Sequence, residues 1–269
     1  TGLSIDIGAG TTLMLPAATT LTSGLALVDG TLNLPNATGL TGFALTLRSA
    51  GVFAAPALTQ MNACALSLED TASSTLGALT TLQTTPVTVR ENAALSLPQL
   101  TDWTSNNTST GLIASDSAVF SAPFLDTLSN VWVQVRSGAK VTLPAVTSWS
   151  WTQVTSPTLA DVANAGSELN LPAMAALNFD TGTTSAYQAY FTAASQGHID
   201  VPVWATTTLG TNHRLNLTLT SSATLDAAAL TSADRFNFNA GASTNLTLPS
   251  LTTMANCASA GVRASGAPA

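Results

Sequence analysis

The chain has 269 residues, is 45% hydrophobic and carries only 8% charged residues, against about 25% in an ordinary soluble domain. Its net charge of -7, with Lys140 as the single lysine, argues against a nucleic-acid footprint or an anionic membrane surface as partner. Apolar residues recur in register, which excludes disorder, and no apolar run reaches the roughly 18 residues of a membrane span.

From its first residues the chain reads as an array. Thr1-Gly2-Leu3-Ser4-Ile5 already fits the repeat, with neither a basic leader nor a polar cap before it, so the sequence suggests a mature or excised piece of something longer, stacked end to end. The clearest copy is Leu95-Ser96-Leu97-Pro98-Gln99-Leu100-Thr101-Asp102-Trp103. Others are Leu32-Asn33-Leu34-Pro35, Val141-Thr142-Leu143-Pro144 and Leu246-Thr247-Leu248-Pro249. Aligned on Pro16, Pro35, Pro56, Gly77, Pro98, Pro123, Pro144, Pro172, Pro202, Ala228 and Pro249, the spacings are 19, 21, 21, 21, 25, 21, 28, 30, 26 and 21 residues. Periods of this size mark a solenoid.

Within the repeat from Thr41 to Met61, Phe43-Ala44-Leu45-Thr46-Leu47-Arg48 alternates strictly, Ser49-Ala50-Gly51 turns, and Val52-Phe53-Ala54-Ala55 alternates again before Pro56. Alternation of period two reads as strands with one buried face, and proline, which cannot donate a ladder bond, ends the second strand at a corner. After each corner comes a large apolar residue: Leu40, Met61, Leu82, Trp103, Leu128, Trp149, Leu177 and Met254, all predicted to stack inward. The expected fold is all-β: a right-handed parallel β-helix of about eleven coils of about 21 residues, one domain over 1–254, with longer coils in 150–211. Residues 255–269 read as a low-complexity tail or linker. Leucine-rich repeats share the period, but their fixed Asn after Leu-x-Leu is missing.

The phrase Leu-x-Leu-Pro-x-Leu-Thr-x-hydrophobic resembles receptor L-type domains, including those of fungal cell-wall proteins, and more loosely bacterial surface leucine-rich repeats. That resemblance implies a solenoid displayed outside the cell; it carries over no functional residue.

No catalytic constellation stands out. Asp200 and Asp226, two residues before their repeat landmarks, are neighbours in an outward row, near the separation a retaining glycosidase uses, and His198 shares the strand of Asp200. They are the only catalytic candidates, and solvated residues on a polar face explain them as well. Two histidines and two distant cysteines, Cys64 and Cys257, suggest no metal site, no cofactor and no intrachain disulfide; Cys257 could link chains. Aromatic residues gather in the lengthened coils, so Trp151, Tyr187, Tyr190, Phe191 and Trp204 are the binding candidates, with burial against the solenoid as the competing reading.

Two outward rows remain. Arg48, Glu69, Arg90, Asp116 within one residue of register, and Arg136 alternate in sign, which specifies register. Thr19, Thr38, Thr59, Thr80, Thr101, Thr147, Thr231 and Thr252 form a corner row suggestive of ice binding, although Asp126, Ala175 and Ala205 interrupt it and bonds to the local backbone account for corner threonines. The function expected is a non-enzymatic extracellular structural or adhesive module. Its partners would be further copies end to end, a surface glycan or a protein; the alternatives are a carbohydrate-binding or polysaccharide-degrading β-helix, and ice binding.

Overall fold

The computed structural model describes residues 3–153, 155–179 and 186–257. Among them there is no helix, and the chain winds as a parallel β-solenoid. Each regular coil lays down three short strands, as in Gln60–Asn62, Ala65–Leu68 and Ser73–Thr75, followed by Thr81–Gln83, Val87–Val89 and Ala94–Ser96. The first two strands of the coils enter one 18-stranded sheet, except that Ser232–Asp234 and Thr253–Ala255 pair apart from it as a two-stranded sheet. The third builds an eight-stranded ladder from Ser73–Thr75 to Asn245–Thr247, preceded by a three-stranded one of Thr12–Met14, Thr31–Asn33 and Val52–Ala54. Together these two ladders give one strand for each of eleven coils, as the landmark spacing predicts.

Three strands per coil, where alternation suggests two, is a correction with a simple cause. The residues after the proline corner form a strand of only three, too short to alternate visibly, yet it pairs with its copies: Met61 with Leu82, and Leu82 with Trp103. The corner itself is a four-residue turn with proline second, the place its fixed φ favours, or Gly77 in one coil. Leu58 N donates to Ala55 O, Leu79 N to Leu76 O and Leu100 N to Leu97 O across it. In early coils the first two strands run on as one, Gly39–Leu47, through Gly42 at φ 61°. Ala63 (φ 50°) and Thr84 (φ 48°) take the same place in the next two coils, and there the strand breaks.

The middle residue of each third strand points inward: Phe53, Leu95, Phe120, Val141, Leu169, Ile199 and Leu225 are all buried. Each such side chain contributes about 1.5–3 kcal/mol on leaving water. Trp103 and Trp149 lie in the inward stack as expected, and their ring N–H groups donate to Thr85 O (3.1 Å) and Val131 O (2.8 Å). Met254 does not. It is 51% exposed, because it belongs to the last described coil and no further described coil covers it. Cys64 and Cys257 are free thiols; burial pushes the Cys64 thiol above its ordinary range.

Ladder register bears out the charge row from Arg48 through Glu69 to Arg90, places Ser115 rather than Asp116 between Arg90 and Arg136, and corrects the pairing. Arg48 forms a two-pronged pair with Asp29, at 3.2 and 2.9 Å, rather than with Glu69. Glu69 lies 3.9 Å from Arg90, and Arg136 pairs with Asp161. Asp29 belongs to the same row one coil earlier, since Val28 pairs with Leu47. The threonine row also differs from expectation: the hydroxyls of Thr38, Thr59, Thr80 and Thr101 each donate to the backbone oxygen of the threonine one coil before, at 3.1–3.3 Å. These bonds hold coil to coil.

The longer coils keep every ladder in step. Trp149 pairs with Leu177, and Val162 with both Val135 and Ala193; one irregularity falls between Thr158 and Ala160. The chain leaves the sheet between Ser148–Trp151 and Thr158–Ala163; the corresponding segment between Ala176–Phe179 and Gln188–Ala194 is also longer in sequence, and its residues 180–185 lie outside the described residues. The predicted tail lies, from residue 258 on, outside the described residues.

Candidate functional site

The first of these excursions overhangs the outer face of the 18-stranded sheet and makes a cleft of about 430 Å³. That is within the usual range for a small-ligand site, about 300–1,000 Å³. Its floor is Trp132 and Gln134 from the strand Trp132–Arg136, with Asp161 from Thr158–Ala163; its walls are Thr108, Trp151 and the segment 155–158.

Trp132 is partly exposed, and its ladder partner in the preceding coil is Gly111. A methyl group on Gly111 would fall 2.2 Å from Trp132 Cδ2, so only glycine lets the indole lie flat against that backbone. Two residues on, Gln134 faces Asp161 in the ladder and donates to its Oδ2 at 2.9 Å. Arg136 donates to the same oxygen. Both bonds fall on Oδ2, which leaves Oδ1 as an acceptor. In the wall, Trp151 is buried and its ring nitrogen has no acceptor. Chemically this is a flat apolar surface beside an oriented carboxylate and amide, rimmed by hydroxyls.

Of the five aromatic binding candidates, only Trp151 lines this cleft. Tyr187, Phe191 and Trp204 are buried, and Phe191 and Trp204 stack at 5.7 Å in a chain of interior rings running from Trp149 to Phe238. Tyr190 is partly exposed, its hydroxyl donating to Gln188 Oε1 at 3.2 Å. Strand parity separates them: Ala189, Phe191 and Ala193 point in, so Tyr190 points out. Trp132 was absent from the candidates because no cluster surrounds it in sequence; the signal is the Gly111–Trp132 pair at a spacing of 21.

The catalytic candidates lie elsewhere. Asp200 and Asp226 are ladder partners on the outer face of the eight-stranded sheet, and ligand atoms of His198, Asp200 and Asp226 lie within 4.8 Å of one another. Burial pushes the Asp200 carboxyl up; His198 opposes the shift, while Asp226 and Glu168 add to it. Two carboxylates at this separation suit a retaining hydrolase, but they sit on a ladder face apart from the cleft, whose lining contains neither. No family model, no curated protein and no solved structure matches this chain.

Proposed function

We propose that this chain is a non-catalytic adhesive module of the cell exterior that holds a neutral saccharide in the cleft over Trp132. The observation that carries the reading is the partly exposed indole seated flat on Gly111 next to the Gln134–Asp161 pair. A pyranose ring has one face of C–H groups, which leaves water against the indole, and an edge of hydroxyls, which the free Asp161 oxygen, Gln134 and the rim hydroxyls can meet. Asp161 is already neutralised by Arg136, so the site carries no surplus charge for an acidic ligand. The likeness of the repeat phrase to receptor L-type domains supports an exterior setting.

The test is retention on a panel of immobilised neutral and acidic polysaccharides, followed by calorimetry on any glycan retained. Wild type should bind at least one neutral glycan, and Trp132→Ala should lose that binding at unchanged melting temperature. A panel with no neutral glycan retained, or equal binding by Trp132→Ala, sinks the proposal. Release of reducing sugar, abolished by Asp200→Asn, would replace it with the hydrolase reading.

A further inference from the structure

The group His198, Asp200 and Asp226 plays no part in the cleft. Ladder geometry puts Asp226 directly opposite Asp200 and Thr224 opposite His198 in adjacent coils. We propose that His198, Asp200 and Asp226 bind one divalent cation of the zinc class, clipping the coil of His198–Asp200 to that of Thr224–Asp226.

Three observations carry this. First, a ring nitrogen and two carboxylate oxygens from the three residues lie within 4.8 Å of one another, close enough to converge on one ion. Like charges directly opposite in a ladder repel, and a shared cation turns that repulsion into a cross-link. Second, Asn170, the partner of Asp200 one coil earlier in the same outward row, holds a buried side-chain oxygen that accepts no hydrogen bond. A cation, or a water bound to it, supplies what that oxygen lacks. Third, His198 Nδ1 shares a hydrogen bond with Thr224 Oγ1, which fixes the plane of the ring as outer partners of metal-bound imidazoles do.

Glu168 is the charged neighbour of the group, and it adds to the upward push on the Asp200 carboxyl. Glu168, ladder partner of His198, is turned toward Lys140 at 3.3 Å. The donor set selects the ion class: one imidazole and two carboxylates, with a position open to water, match four-coordinate zinc, whereas calcium takes six to eight oxygens.

The test uses the full chain carrying Cys257→Ser, so that no exposed thiol supplies a site, after stripping with EDTA. It is titrated calorimetrically with zinc chloride, then with manganese and calcium chlorides, and melting is followed with each. We expect one equivalent of zinc to bind and to raise the melting temperature. Asp226→Asn and His198→Asn should each weaken binding by about tenfold or more, with the β-sheet circular dichroism unchanged. Cobalt should give visible bands without a sulfur charge-transfer band. Absence of saturable zinc binding below about 100 μM, calcium bound more tightly than zinc, or zinc binding that survives both substitutions overturns the proposal. None of these outcomes bears on glycan retention by Trp132.

Discussion

The coils from Gln60 to Thr104 and those from Ser148 to Leu219 carry the same ladders but are filled differently. In the first set the interior is Leu82, Val87, Val89, Leu95 and Leu97, with a single ring at Trp103. In the second, where landmark spacings rise to 28, 30 and 26 residues, Trp149, Phe191 and Trp204 stand 5.6 and 5.7 Å apart in succession, and Phe179, Tyr187 and His213 form a second stack. A parallel ladder accepts extra residues only where they leave between strands. The interior of these coils is filled by rings, and residues of the departing segment, Thr155 to Thr158, line the cleft. The candidate binding site is thus a by-product of irregular length.

Truncation of the ring chain should separate the two regions most strongly. Trp149→Ala should cost about 3–5 kcal/mol, since it empties a buried indole's volume and leaves Val131 O without its donor; Leu82→Ala, at the same row of a regular coil, should cost nearer the low end of about 2–5 kcal/mol. Denaturant titration measures both. A larger loss at Leu82 would mean that the rings are not what supports the longer coils.

Asn130 offers a second, smaller test at the junction. Buried, it donates to Ser105 O (2.8 Å) and Thr152 Oγ1 (3.0 Å) and accepts from Thr152 N (2.7 Å), tying three coils where the first excursion begins. Asn130→Ala should cost about 2 kcal/mol and strip hydrogen-exchange protection from the Thr152 amide. Unchanged protection there would show the excursion to be held by its own loop instead.

The smallest effect concerns the hydroxyl row. Thr80→Val should cost about 1 kcal/mol by removing the bond to Thr59 O at 3.1 Å. Ala175 stands at the equivalent corner of a longer coil, with its own N–H bonded to Thr147 O, and Ala175→Thr should gain up to about 1 kcal/mol in melting experiments if the corner geometry is shared. A loss on Ala175→Thr would mean that the corner shifts in the longer coils.

Coil number and register were legible because proline both ends a strand and takes the second place of the corner turn, so each copy at Pro35, Pro56 or Pro98 marks the same point in space. The outward row that unites Asp200 with Asp226 followed from parity alone. What parity could not reach was anything set by two coils at once. Asp29 as the partner of Arg48, Gly111 beneath Trp132, and Gln134 opposite Asp161 are neighbours only after the chain has wound round, the last pair 27 residues apart across a lengthened coil. The aromatic cluster misled for the same reason: a rise in ring content marks a ring-filled interior as readily as an open surface.

The threonine hydroxyls that reach back one coil have a mechanical consequence. Ladder bonds and hydroxyl bonds alike join a coil to its immediate neighbours, so tension applied at the two ends and directed along the stack is met by one junction at a time. A coil that gives way frees a chain of 21 residues, on the order of 70 Å when drawn out, while the rest stays wound. Under load the protein would lengthen as a ratchet of equal steps, with larger ones where the coils are longer.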